Sequence, residues 1–299
     1  MMRAGHALRL AIVLLIAAGN ACLSAIVFSV LEEGRWAVYW QADLDAKPQR
    51  VLNDGKTDQS SARFGNDGKT VALENSRNEI IILQHAADAS SWKALQTISN
   101  GVRPAWNGAM KTWVFVRYTL TATGEDSDVQ QVSTDGKSFV LVRHTGNQDF
   151  PHISPNGSRL AYTSTQVVGV WQGAVNPFQQ LWIVDFAQGK TRPLLLEARE
   201  NVEPAWSPSG EELAFASNKT GTFEIWAVRA DGTGLRQVTS GPGAKTRPAW
   251  SPDGRRLIFT QFQEGRYGFA IVDADGKNQR SYKPFGEQRI VEVRDADWK

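Results

Sequence analysis

Short apolar runs separated by turn residues recur along most of this chain. The two clearest copies open with residues 204–210 (PAWSPSG) and 248–254 (PAWSPDG), and each is followed by two apolar runs and an Asp-Gly turn. Trp206 and Trp250 are 44 residues apart, a period typical of one four-stranded propeller blade. Because Gly, Pro, Asp and Asn bound each run, the pattern predicts strands joined by tight hairpins. The predicted fold class is therefore all-β, a β-propeller.

Weaker copies of the repeat extend the pattern over nearly the whole chain. The anchor position of the repeat is occupied by Phe64, Trp106, Ile153, Trp206, Trp250 and Trp298. These anchors predict a six-bladed propeller whose sixth blade is split between residues 36–52 and 295–298. Pairing of the two termini would remove exposed sheet edges. The fragments supply only three strands to that blade, and a five-bladed ring with irregular ends is the alternative.

An uncharged apolar segment from Leu10 to Leu31 precedes the repeats. As a helix it would reach about 33 Å, enough for a hydrocarbon core of about 30 Å. Arg3 and Arg9 precede it, so the positive-inside bias places the N-terminus in the cytoplasm and the repeats outside. We therefore expect a membrane anchor or signal segment over residues 1–33 and a propeller over residues 34–299.

The apolar segment has three interpretations: a retained transmembrane anchor, a cleaved signal peptide, or a lipoprotein leader with lipid on Cys22. Cleavage after Ala21 would leave an apolar tail, residues 22–31, at the start of a soluble domain, which favours retention. Gly19 stands where a lipoprotein signal prefers Leu. In each case the propeller works in the bacterial cell envelope, on the periplasmic or extracytoplasmic side of the inner membrane, or is secreted.

Charge and motif content argue against several function classes. The chain has 33 Lys and Arg against 31 Asp and Glu, so it lacks the basic excess of a nucleic-acid binder. One cysteine excludes an intrachain disulfide. No Gly-x-Ser-x-Gly elbow occurs, and the histidines lack the companion carboxylates of a metal site. We therefore predict no catalytic residues, no metal and no cofactor.

The segment Pro-x-Trp-Ser-Pro-Asp-Gly, followed by two apolar strands and an Asp-Gly turn, resembles the TolB-type (WD-repeat-like) propeller repeat. The resemblance is strongest over residues 203–240 and 247–280. It implies a six-bladed periplasmic propeller that binds envelope or membrane proteins, as a scaffold or as a subunit of a complex. Family members carry a mixed α/β domain before the propeller, and residues 32–35 leave no room for one here.

One face of a propeller gathers the blade-to-blade connections and the loops between second and third strands. The longest insertion, from Gln166 to Gln180, falls on this face, and residues 117–128 form a neighbouring long loop. Long loops with aromatic residues suit a protein interface. The predicted partner-binding residues are Val170, Trp171, Phe178, Arg117 and Tyr118.

A second candidate surface is the mouth of the central channel. The residues just before each opening proline, or its equivalent, are Ser61, Arg103, Phe150, Glu203, Arg247 and Asp295. Two hypotheses follow: a non-enzymatic protein-docking propeller, or a propeller that binds, and possibly hydrolyses, small ligands such as glycans. The second hypothesis requires Arg103, Glu203 and Arg247 to converge on one point.

Overall fold

The residues that the structure describes form an all-β ring of six four-stranded antiparallel sheets plus one two-stranded ribbon. A computed structural model describes residues 24–53, 55–65, 67–86, 91–121, 124–133, 136–142, 146–165, 170–171, 174–175, 178–195, 197, 199–286 and 291–299. The six blades confirm the six-bladed prediction and exclude the five-bladed alternative.

Blades 1 to 3 follow one another along the chain. Blade 1 consists of β4 (Gln59–Phe64), β5 (Thr70–Asn75), β6 (Glu79–His85) and β7 (Trp92–Ser99). Blade 2 consists of β8 (Val102–Asn107), β9 (Thr112–Thr121), β10 (Gly124–Val132) and β11 (Ser138–Val142). Blade 3 consists of β12 (Gln148–Ile153), β13 (Arg159–Ser164), β16 (Gln180–Asp185) and β17 (Lys190–Pro193). The ribbon β14 (Val170–Trp171) and β15 (Ala174–Val175) is inserted between β13 and β16.

Blades 4 and 5 carry the clearest repeats. Blade 4 consists of β18 (Asn201–Trp206), β19 (Glu212–Ser217), β20 (Glu224–Arg229) and β21 (Arg236–Gln237). Blade 5 consists of β22 (Ala244–Trp250), β23 (Arg256–Gln263), β24 (Arg266–Asp273) and β25 (Arg280–Tyr282). Their anchors are core residues, as expected: Trp206 and Trp250 are buried, and the Trp206 indole N–H donates to the His152 carbonyl of the preceding blade at 3.0 Å.

Blade 6 corrects the prediction made for the N-terminal segment. It consists of β26 (Glu292–Trp298), β1 (Ile26–Glu32), β2 (Arg35–Gln41) and β3 (Gln49–Arg50). The sheet thus has four strands rather than three, and the strand that was expected to be missing is β1. It lies between β26 and β2, with Ile26 opposite both Trp298 and Gln41.

The last part of the predicted membrane helix is therefore a buried strand. Ile26, Val27, Phe28 and Val30 are completely buried. A strand covered on both faces is apolar throughout, and such a run cannot be told from a helical one by its hydrophobicity. The predicted domain boundary at residue 34 falls inside this sheet. Residues 1–23 lie outside the described part of the chain, and the described part contains no helix able to cross a membrane.

The ring has two faces. The connection face carries the blade-to-blade connections and the hairpins between second and third strands, and the turn face carries the remaining turns. On the turn face the Ser-Pro-Asp-Gly segments are turns, as predicted: Asp253 accepts the Ser251 hydroxyl at 2.5 Å and Gly254 has φ +70°. Lys299 N–H donates to the Ala25 carbonyl at 2.8 Å, so β1 begins at the turn face.

Candidate functional site

The candidate site is the central channel, a cavity of about 480 Å³ between the inner strands β4, β8, β12, β18, β22 and β26. Each inner strand shifts register against its neighbour at a bulge. At each bulge one residue has φ between 49° and 62°: Ser61, Arg103, Phe150, Glu203, Arg247 and Asp295. These six, which we call the bulge ring, are the predicted mouth residues. They stand inside strands in the channel wall, however, and not in the connections around the mouth.

Local sequence explains the bulges. Pro104, Pro151, Pro204 and Pro248 each follow a bulge residue, and proline, which lacks an N–H, is accommodated at bulges and edges of sheets. A left-handed residue other than glycine costs about 1–2 kcal/mol. Hydrogen bonds from neighbouring blades offset this cost: Arg103 N–H donates to Glu74 at 2.9 Å, Glu203 N–H to Thr163 at 3.1 Å, Arg247 N–H to Glu203 at 2.7 Å and Asp295 N–H to Thr260 at 3.1 Å.

Arg103 of blade 2 joins the carboxylates of the two adjacent blades. Its guanidinium lies 3.3 Å from Glu74 of blade 1 and 3.4 Å from Asp149 of blade 3. It also donates to the Ser61 hydroxyl at 3.1 Å, and that hydroxyl donates to Glu74 at 2.7 Å. Arg103, Glu74 and Asp149 are mostly buried, so their charges interact with each other more strongly than with solvent.

Arg247 of blade 5, diametrically opposite, repeats the arrangement. Its guanidinium lies 3.4 Å from Glu203 of blade 4 and 2.7 Å from Asp295 of blade 6. Arg294 lies 3.3 Å from the other side of Asp295, which is itself buried. Each arginine therefore links three consecutive blades.

Phe150 lies between the two arginines. The guanidinium carbons of Arg103 and Arg247 are 4.5 Å and 5.4 Å from its ring centre, within cation–π range. Glu203 is bound to Arg247, so Arg103, Glu203 and Arg247 gather around one ring, which is the convergence that the small-ligand hypothesis requires. Glu74 and Asp149 are not among the residues predicted from the sequence. Asp149 could have been found from its place directly before Phe150, whereas nothing near Glu74 marks it.

Burial dominates the ionisation of this cluster. It raises the pKa of Asp149 despite the opposing charge of Arg103, and it raises the pKa of Glu203 despite Arg247. For the Arg247 guanidinium, burial works to lower the pKa, but the carboxylates of Asp295 and Glu203 outweigh it and the pKa is raised. Arg247 therefore stays charged, and the carboxyls of Asp149 and Glu203 take up protons more readily than exposed ones.

The predicted partner-binding residues lie in different environments. Arg117 and Tyr118 belong to β9, so the long loop expected over residues 117–128 is a β-hairpin. Arg117 donates to Ser138 at 3.0 Å and to the Asn100 carbonyl at 3.2 Å, and the Tyr118 hydroxyl donates to Asp149 at 3.4 Å. The backbones of Val170 and Trp171 form β14, and Phe178 is half-buried before β16.

Three hairpins rise above the connection face over the described residues: those of the opposite blades 2 and 5, and β1–β2 of blade 6, which ends at the pair Glu32 and Arg35. In blade 4 the corresponding hairpin ends at the pair Ser217 and Glu224. The β9–β10 hairpin runs four residues further and the β23–β24 hairpin two, about 14 Å and about 7 Å at 3.4 Å per residue. Leu120 near the first tip is 87% exposed and Phe262 near the second is 42% exposed. Neither residue was predicted from the sequence, because the length of a hairpin is known only once its strands are paired.

His152 lies in the channel wall on the turn-face side of Phe150. Its Nδ1 accepts the Trp206 backbone N–H at 3.2 Å, so its neutral form carries the proton on Nε2. Burial, with smaller contributions from Arg63 and Lys299, lowers its pKa to about 4, and Asp297 opposes this only in part.

Replacing His152 by Asn should reduce the acid sensitivity of the fold. The unfolded chain takes up a proton on this residue below about pH 6.5 and the folded chain only near pH 4, so wild type loses stability as the pH falls between these values. Asn keeps an acceptor for Trp206 but does not titrate. The free energy of unfolding, measured with urea at pH 7.5 and pH 4.5, should fall by about 1–2 kcal/mol more in wild type than in the variant. This figure allows for the partial exposure of the His152 side chain. Equal losses would contradict the assignment.

Comparisons with known proteins agree with the geometry. The family described as TolB beta propeller domain matches residues 148–289. The Tol-Pal system protein TolB of Anaeromyxobacter dehalogenans is 35% identical over 114 residues, which are 38% of this chain and 24% of that protein. The uncharacterized peptidase YuxL of Bacillus subtilis is 31% identical over 93 residues, 31% of this chain and 14% of that protein. The matches thus span less than a quarter of either relative.

A solved structure shows the same fold over most of the chain. The crystal structure of TolB from Acinetobacter baumannii superposes with a TM-score of 0.74 at 16% identity, covering 92% of this chain and 66% of that one. At this identity the likeness concerns the fold alone. The family match and the TolB relative show that the repeats within residues 148–289 are TolB-type β-propeller repeats.

Proposed function

We propose that this protein is an exported, non-enzymatic propeller that docks a protein of the bacterial cell envelope on its connection face. The observation that carries the proposal is the pair of hairpins, β9–β10 and β23–β24, that rise on opposite sides of the channel with Leu120 and Phe262 exposed. Exposed apolar side chains on projecting elements suit a protein interface. Trp171 and Phe178, on the insertion of blade 3, belong to the same proposed surface.

The channel chemistry supports binding rather than catalysis. Arg103 and Arg247 are each held by two carboxylates, so their charges are already compensated. Among the residues that the structure describes, no three His, Cys, Asp or Glu side chains are grouped so as to hold a metal ion. A compensated, rigid ring is suited to holding blades in place beneath a contact surface.

Export rests on the leader and on the relatives. TolB of the Tol-Pal system is a relative, and the apolar segment after Arg3 and Arg9 suits secretion. Strand β1 weakens the objection to cleavage, because residues 26–31 of the apolar tail after Ala21 lie in the strand that completes blade 6. A retained anchor would have to span the bilayer with Leu10 to Ala25, about 24 Å as a helix. We therefore propose a processed leader, with lipid on Cys22 as the form that keeps the protein at a membrane.

Photo-crosslinking in intact cells tests the docking surface. A photoreactive amino acid at position 120 or 262 should yield a discrete adduct with a partner, because both side chains project from the proposed surface. The matched control is position 110, where Met110 is 60% exposed on the turn face. Adducts that also form from position 110, or none from positions 120 and 262, would contradict the proposal.

A small-ligand or hydrolytic propeller is the second candidate. The observation in its favour is the convergence of Arg103, Glu203 and Arg247 around Phe150, with the pKa of Glu203 raised as in a general acid. The peptidase relative is consistent with an enzyme. Hydrolysis of chromogenic glycosides or peptide anilides that disappears in Glu203→Gln would favour this candidate over docking.

A further inference from the structure

The channel wall between Phe150 and the turn face has a second ring of six residues. They lie two positions after the bulge residues: Arg63, Ala105, His152, Ala205, Ala249 and Asp297. The part of the channel that they enclose is called the lower chamber. It is lined further by Pro155, Pro208 and Pro252 of the turn face and by Lys299, so it opens there. Phe150, Arg103 and Arg247 line the same cavity towards the connection face.

Each of these residues is followed by the anchor residue of its repeat. The backbone N–H group of that anchor residue points away from the second strand of the blade. In an antiparallel ladder, N–H groups point alternately toward and away from the partner strand. Ser207 N–H donates to Glu212 and Ser251 N–H to Arg256, both at 2.8 Å and both toward the second strand. The N–H groups of Trp206 and Trp250, one residue earlier, therefore face the preceding blade along the channel wall.

In two blades the anchor N–H group has a side-chain acceptor. Phe64 N–H donates to the Asp297 carboxylate at 2.8 Å, and Trp206 N–H donates to His152 Nδ1 at 3.2 Å. In each pair the acceptor is the lower-ring residue of the preceding blade. In the other four blades that residue is alanine or arginine, whose side chains have no acceptor. The N–H groups left without such a side chain are those of Trp106, Ile153, Trp250 and Trp298.

Other groups of the lower chamber are also donors. His152 carries its proton on Nε2, because Nδ1 is occupied as an acceptor. The Arg63 guanidinium donates to the adjacent Ala62 carbonyl at 2.8 Å, and the indole nitrogen of Trp106 is buried without a partner. The acids are already engaged: Asp297 accepts from Phe64, and Asp67 accepts from Lys69 and Thr70 of its own turn.

We propose that the lower chamber is a binding site for a small anion bearing a carboxylate or phosphate group, which enters from the turn face. Asp297 of blade 6 accepts the hydrogen bond of the Phe64 N–H group. Where alanine stands in place of such an acid, an anion in the chamber would accept the hydrogen bond of the anchor N–H group instead. The Arg63 guanidinium would supply the positive charge that faces the anion. Clusters of backbone N–H groups form anion sites elsewhere in proteins, and a channel of about 480 Å³ is within the range of small-molecule sites.

Titration of the full chain with sodium phosphate and with disodium succinate, at constant ionic strength, tests the site. Trp106, Trp206, Trp250 and Trp298 line the channel, so tryptophan fluorescence reports occupancy directly. We expect saturable binding that Arg63→Gln weakens at least tenfold. Ala249→Asp should abolish it, because a carboxylate there would cap Trp298 N–H as Asp297 caps Phe64 N–H and would repel the anion.

Arg77→Gln is the matched control, since it makes the same change of charge at an exposed turn of the connection face. Binding of both anions supports a general anion site, and binding of one alone supports the site and names its chemistry. Absence of saturable binding by either anion overturns the proposal, as does equal weakening in Arg63→Gln and Arg77→Gln. If Ala249→Asp does not fold, the comparison of the two arginine variants decides the question.

Discussion

A chain that begins at residue 34 is expected not to fold, whereas one that begins at residue 24 should fold like the full propeller. The shorter chain lacks β1, the strand between β26 and β2, and with it four completely buried apolar side chains. Each large buried side chain contributes about 2–5 kcal/mol, and a whole domain is stable by only about 5–15 kcal/mol. Circular dichroism, thermal unfolding and size-exclusion chromatography of the two chains would measure the difference.

A point substitution separates the loss of β1 from the loss of chain length. Phe28 is completely buried and packs edge-on against Phe269, with ring centres 5.7 Å apart. Phe28→Ala in the chain that begins at residue 24 should lower the free energy of unfolding by about 3–5 kcal/mol. A cooperative unfolding transition in the chain that begins at residue 34, equal to that of the longer chain, would show that β1 is not part of the fold.

Lys245→Met is expected to destabilise blade 5 more than any substitution of a surface charge. The ammonium of Lys245 is fully buried, 3.0 Å from Glu224 and 2.9–3.1 Å from the carbonyls of Gly241, Pro242 and Gly243. Methionine fills the space but leaves the buried Glu224 charge without its partner. The free energy of unfolding should therefore fall by about 3–5 kcal/mol. Urea unfolding at pH 7 would measure it.

Two further variants identify the cause. Glu224→Gln in the Lys245→Met background removes the unpaired charge while the amide still accepts from Thr239, so part of the stability should return. Lys219→Met breaks the more exposed Lys219–Glu197 pair and should cost less than about 1 kcal/mol. Equal losses for Lys219→Met and Lys245→Met would show that burial of the ion pair is not what makes Lys245 important.

The repeats made the propeller fold predictable, and they marked the six positions of the bulge ring, although as mouth residues and not as bulges within strands. Because Pro104, Pro151, Pro204 and Pro248 recur at one place in the repeat, the residue before each of them could be assigned to the channel without coordinates. The partners of these residues could not. Glu74 binds Arg103 from the preceding blade across 29 residues of sequence, and no local pattern encodes such a contact.

What the amino-acid sequence determined by itself is the repeat: its period, its anchors, its turns and the six positions at the bulges, since each depends on residues within one blade. What only the tertiary structure decided depends on neighbours in space. The apolar run at Ile26 became a strand because β26, from the far end of the chain, lies beside it. The charges of Arg103 and Arg247 are compensated because carboxylates of the neighbouring blades lie beside them. The lower chamber is rich in donors because only two blades offer a side-chain acceptor to the anchor N–H group of the next blade.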